Sequence, residues 1–102
     1  SDEGEMLFTV NKSPFSHRNL ESCLRCAPAG APIVLYEDGV YAAKAGTRVE
    51  GLMREALARH PVYALDADLR ARGIERRIEG IRVIDYSGFV ELVELHPVVP
   101  WL

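Results

Sequence analysis

The run APIVLYEDGVYAAKAGTRVEGLMREALARHPVYAL, residues 31–65, holds a strand, a helix and a second strand in one unit. Ile33–Tyr36 is an unbroken apolar run of the length and β-branched character of a buried strand. Glu37, Asp38 and Gly39 form a turn signal. Val40–Gly46 reads as a short irregular or helical piece closed by Gly46. Thr47 and Glu50 then stand three apart, just ahead of an apolar pattern, as in a capping box. That pattern, Val49, Leu52, Met53, Ala56 and Leu57, is the core-facing side of a helix. Pro61 ends the helix, and Val62–Leu65 is the next buried strand.

The same alternation extends in both directions. Upstream, Met6–Val10 is a short buried strand, followed by a loop, Asn11–Phe15, stiffened at Pro14. Leu20, Cys23, Leu24 and Ala27 recur at i, i+3, i+4 and i+7 and define one face of a helix. Glu21 and Arg25 pair on its other side, and Pro28 and Gly30 end it. Downstream, Asp66 or Asp68 caps a short helix that stops at Gly73. Ile81–Ile84 is a fourth strand, and Asp85 an N-cap for a last helix through Phe89, Leu92 and Val93. Val98–Leu102 adds an edge strand, with Pro100 restricting its pairing.

Strands alternating with helices predict one α/β domain over residues 6–102, with a mainly parallel sheet of about four or five strands. Helices must cover both sheet faces. In such folds functional groups sit beyond the carboxyl ends of the strands. The loops to watch are therefore Asn11–Ser16, Glu37–Ala43, Asp66–Leu69 and Asp85–Gly88. Residues 1–5, Ser-Asp-Glu-Gly-Glu, are set aside as a frayed tail or a cloning scar.

Composition narrows the function classes. Of the 102 residues, 48% are hydrophobic and 26% charged, ordinary values for a globular protein. No apolar run has the length of a membrane span. The acidic, polar start lacks the pattern of a secretory signal, so a cytoplasmic location is expected. A net charge of −3 argues against direct nucleic-acid binding, which uses a clustered basic face. Arg70, Arg72, Arg76 and Arg77 do cluster, but Asp66, Asp68, Glu75 and Glu79 are interspersed, as on a solvated helix face.

Cys23 and Cys26 are the two cysteines. Their spacing is that of a dithiol motif, but a bridge between i and i+3 would strain a continuous helix. Two readings of Cys23 stand side by side. Its helical phase makes it a small core hydrophobe. His17, Arg18 and a nearby helix start would instead favour the thiolate, the form that transfers sulfur. Cys26 belongs at the core edge or surface. His17, His60 and His96 are too scattered for a metal site, and His60 and His96 read as helix termini. No glycine-rich phosphate loop is present, and no cofactor is expected.

Specific strings, taken in order, carry a resemblance. LFTVNKSPF at 7–15, NLESCL at 19–24, EDGVYAA at 37–43, VYAL at 62–65, VIDY at 83–86, GFV at 88–90 and WL at 101–102 resemble the TusB/DsrH family. The match spans nearly the whole chain. The resemblance implies a DsrE-like three-layer fold. It implies a subunit of a persulfide-relay complex with TusC/DsrF-like and TusD/DsrE-like partners, two copies of each subunit forming a heterohexamer. It implies work with a DsrC/TusE-like carrier, either in 2-thiolation of the transfer-RNA wobble uridine or in intracellular sulfur oxidation. The string Glu21-Ser22-Cys23 matches the cysteine of DsrH-type members, which makes Cys23 the candidate persulfide carrier. The family's principal sulfur acceptor lies on the TusD/DsrE-like subunit, so a purely structural role for this chain is the alternative.

Overall fold

A computed structural model describes residues 5–102; the tail expected over 1–5 lies outside them except for Glu5. The elements are β1 (Leu7–Val10), α1 (Asn19–Cys26), β2 (Ile33–Leu35), a 3₁₀ segment (Glu37–Ala43), α2 (Glu50–Arg59), β3 (Val62–Leu65), α3 (Asp66–Ala71), β4 (Arg82–Ile84), α4 (Tyr86–Leu95) and β5 (Val98–Trp101). The five strands form one sheet in the order β4-β3-β2-β1-β5, and every pair is parallel. This is the expected α/β architecture. Pro100 is accommodated because β5 is an edge strand, paired on one side with β1.

Paired residues of a parallel sheet share a face, so the registers sort the strands into two sides. Phe8, Ile33, Val62 and, two residues on, Val10, Leu35 and Ala64 point to one side. That side is the main core, where Leu20 and Cys23 of α1, Met53 and Ala56 of α2, and Leu69 of α3 bury against it. Leu7, Val34 and Leu65 point to the other side, where α4 lies. The three connections β1–β2, β2–β3 and β3–β4 all step one way along the sheet. The β4–β5 connection steps back across it, and right-handed crossovers then place α4 alone on the opposite face.

Several local expectations shift. α2 starts at Glu50, not Thr47. The Glu50 carboxylate does reach back, but it accepts from the Gly46 N–H at 2.6 Å, one residue beyond the expected partner. Neither Asp66 nor Asp68 caps α3. Asp85 does cap α4, accepting from the Gly88 N–H at 2.8 Å. The Val40–Gly46 piece belongs to a 3₁₀ segment that already begins at Glu37. Gly39 explains its tight seating: a Cβ there would sit 2.2 Å from the Val10 carbonyl oxygen. Only glycine lets this backbone come so close to β1.

Candidate functional site

Cys23 sits in the second turn of α1 and is 0% exposed. The periodicity that put Leu20, Cys23 and Leu24 on one face is the reason: that face seals the main core. Burial pushes the Cys23 thiol up to about 12, and the nearby Cys26 adds to the rise. At neutral pH about one Cys23 in 10⁵ is then a thiolate. His17, close in sequence, is exposed and its Nδ1 lies 3.0 Å from the Ser16 hydroxyl. Arg18 occupies the N-cap position and is exposed. Cys26, the last residue of α1, is exposed, and both cysteines are free.

The other histidines serve the scaffold. His60 follows α2 and is buried; its Nδ1–H donates to the Ala31 carbonyl at 2.9 Å. His96 follows α4, and its Nδ1–H donates to the Glu5 carbonyl at 2.8 Å. Among the described residues no group of three or more His, Cys, Asp or Glu side chains is placed to hold a metal.

At the carboxyl ends of the strands three loops are tied together. Asn11, after β1, donates through Nδ2 to Glu37 Oε1 at 3.2 Å. The Glu37 N–H, after β2, donates to Asp68 Oδ2 in α3 at 2.7 Å. Glu37 is left-handed, with φ of +47°, a conformation that costs a non-glycine residue free energy. Arg72 closes the network, donating from Nε to Asp38 at 2.9 Å and lying 3.6 Å from Asp68. Arg72 is thus a half-buried bridge and not part of a freely solvated face, whereas Arg70 does lie exposed beside Asp66. The loops were marked by strand polarity, but these cross-loop partners are 31 and 34 residues apart. No local spacing announces a pair at that distance.

A polar cleft of about 460 Å³ opens beside the same edge, lined by Phe15, His17, Arg18, Glu21 and Arg48. Arg48 stacks over Phe15 with its guanidinium 5.1 Å from the ring centre and donates to the Phe15 carbonyl. Arg48 therefore holds the 14–18 loop against the turn before α2. A second cleft, of about 760 Å³, runs between α1 and α2 over Leu24, Leu52 and Ala56. Neither arrangement brings a nucleophile and a base together.

The model of the DsrH-like protein family matches residues 12–99. The chain belongs to that family. Other relatives in it include Protein TusB of Pectobacterium parmentieri, 38% identical over 94 residues, covering 90% of this chain and 95% of that one. Protein TusB of Escherichia coli K12 is 40% identical over 93 residues, with 90% and 95% covered. The crystal structure of the YchN protein from Escherichia coli superposes with a TM-score of 0.82 at 16% identity, covering 95% and 98%. A protein of unknown function from Methanobacterium thermoautotrophicum gives a TM-score of 0.70 at 20% identity, covering 94% and 97%. At those identities the two structures speak for the fold. Among the described residues no helix is long and apolar enough to cross a membrane.

Proposed function

We propose that this chain is a subunit of a cytoplasmic sulfur relay serving 2-thiolation of the transfer-RNA wobble uridine, and that its own part is architectural. The relay reading rests on the family match over residues 12–99 and on TusB relatives near 40% identity. The architectural part rests on one observation, the complete burial of the Cys23 thiol. In a relay step, an acceptor thiolate attacks the terminal sulfur of a donor persulfide. The donor's S–S bond breaks, the donor leaves as a thiolate, and the acceptor now carries the persulfide, with no net oxidation. Such a step needs an accessible thiolate. Cys23 offers neither access nor charge in this fold.

The second reading keeps Cys23 as the persulfide carrier. The string Glu21-Ser22-Cys23 favours it, and it requires α1 to lift from the sheet. The complex, assembled with TusC- and TusD-like subunits, is loaded with a persulfide donor and each chain weighed intact. The architectural reading expects the added sulfur, 32 Da on the mass scale (about the mass of one sulfur atom), on a partner chain, with Cys23→Ser relaying as well as wild type. Sulfur on Cys23, with relay lost in Cys23→Ser complexes that still assemble, establishes the carrier reading instead. Thiolated wobble uridine in a deletion strain separates the branches: its loss supports transfer-RNA thiolation, and its persistence favours sulfur oxidation.

A further inference from the structure

The two faces of the sheet are covered very unequally. Three helices and the 3₁₀ segment close the main core, while α4 alone lies on the other face. A five-stranded sheet is roughly 20 Å wide and a helix about 10 Å, so one helix leaves much of that face open. None of the ten residues of α4 is fully buried. Phe89 and Leu92 turn inward, and the Phe89 ring meets Tyr36 at 5.9 Å. A second apolar row, Tyr86, Val90 and Val93 at i, i+4 and i+7, faces away from the sheet, 63%, 54% and 43% exposed. Val98, on the same side of the sheet, is 40% exposed. An apolar row outside the core is a docking feature, not a folding one.

Beside this row runs another, Ser87, Glu91 and Glu94, all exposed. α4 carries no basic residue, and neither glutamate has an ion-pair partner among the described residues. The helix surface is therefore apolar along one strip and acidic along the next. That asymmetry discriminates between occupants. In a two-fold pair of copies with antiparallel α4 helices, the acidic strip faces the acidic strip. With parallel α4 helices, it faces the apolar one. Both arrangements are unfavourable, by like-charge repulsion or by desolvating unpaired carboxylates.

We propose that the Tyr86–Val90–Val93 row of α4 is the docking surface for a different subunit, one presenting an apolar helix flanked by Lys or Arg opposite Glu91 and Glu94. This rests on the relay reading, in which the chain works beside other subunits. The test uses the full chain alone and co-expressed with TusC- and TusD-like subunits. Alone it is expected to be monomeric by light scattering. Val90→Asp is expected to weaken assembly by at least about 30-fold, the effect of losing a central interface anchor. The double variant Glu91→Lys, Glu94→Lys is expected to weaken it about tenfold, with the salt dependence altered. These side chains face solvent, so circular dichroism and Tm of the variants should match wild type. If wild type assembles and both variants assemble equally well, α4 is not the interface, and the relay reading stands. If wild type does not assemble with those subunits, both readings fall. If the chain alone self-associates and Val90→Asp abolishes it, the occupant is a second copy and the proposal is overturned.

Discussion

Cys23 and Cys26 are three residues apart, yet the helix gives them opposite environments. One rotation of about 300° takes the side chain from the core to solvent. Periodicity alone made Cys23 a core residue, and the structure agrees: it is buried, and Cys26 is exposed. The thiols should therefore separate cleanly by reactivity. Under native conditions an alkylating reagent is expected to modify Cys26 within minutes and Cys23 only after denaturation, read as one and then two adducts by intact mass. Fast double labelling of the folded chain would show that α1 opens. Ionisation gives a second readout with a definite sign. The folded thiol titrates near 12, above its ordinary value of 9.0. The stability it contributes is fully present below the ordinary value and is lost as pH rises towards 12. Cys23→Ala should flatten the alkaline decline of the unfolding free energy between those limits.

At the scale of elements, the start of α2 shows what local pattern conveys and what it does not. Thr47 and Glu50 announced a helix start, and a helix does begin there. The box closes one residue early because Thr47–Val49 form a turn, with the Glu50 N–H donating to the Thr47 carbonyl at 3.1 Å. Glu50 also pairs with Arg54 at 2.7 Å, one helical turn on. The Gly46 N–H and then Arg54 hold the Glu50 carboxyl below its ordinary 4.5. A depressed carboxyl contributes stability above its unfolded value, and that contribution disappears as pH falls through the folded one. Glu50→Gln is therefore expected to lower Tm at pH 7 and to approach wild type at pH values below 4.5. Equal Tm differences at both pH values would remove the charge from the explanation. The same limit appears at the candidate site. Strand polarity marked the loops, but the Glu37–Asp68 and Asp38–Arg72 links depend on how distant loops meet. α4 is the instructive miss. Its pattern put Phe89, Leu92 and Val93 on one inward face, but Val93 belongs to a second apolar row that the chain itself leaves uncovered.

At the scale of the molecule, the last strand completes the sheet by returning past the first. β5 pairs with β1, in register from Leu7–Val98 to Val10–Trp101, after α4 has carried the chain across the opposite face. Trp101 turns onto the main-core side, where its ring meets Phe8 at 6.0 Å. The Asn19 side chain donates to the Trp101 carbonyl at 3.4 Å, tying the strand to the start of α1. The two ends of the chain are thus joined through the centre of the fold, which favours a single cooperative unit. Trp101 is the chain's one tryptophan, so its fluorescence reports the docking of β5. Urea unfolding followed by fluorescence and by far-ultraviolet circular dichroism should give coincident midpoints with equal slopes. Trp101→Ala should cost roughly 2–3 kcal/mol, below the full-core range because the ring is partly exposed. It should shift the dichroism midpoint of the whole domain, not of the edge alone. A fluorescence transition at lower urea than the dichroism transition would show that β5 undocks before the rest unfolds. In that case the sheet order, with β5 outside β1, would describe a detachable edge and not the closure of the core.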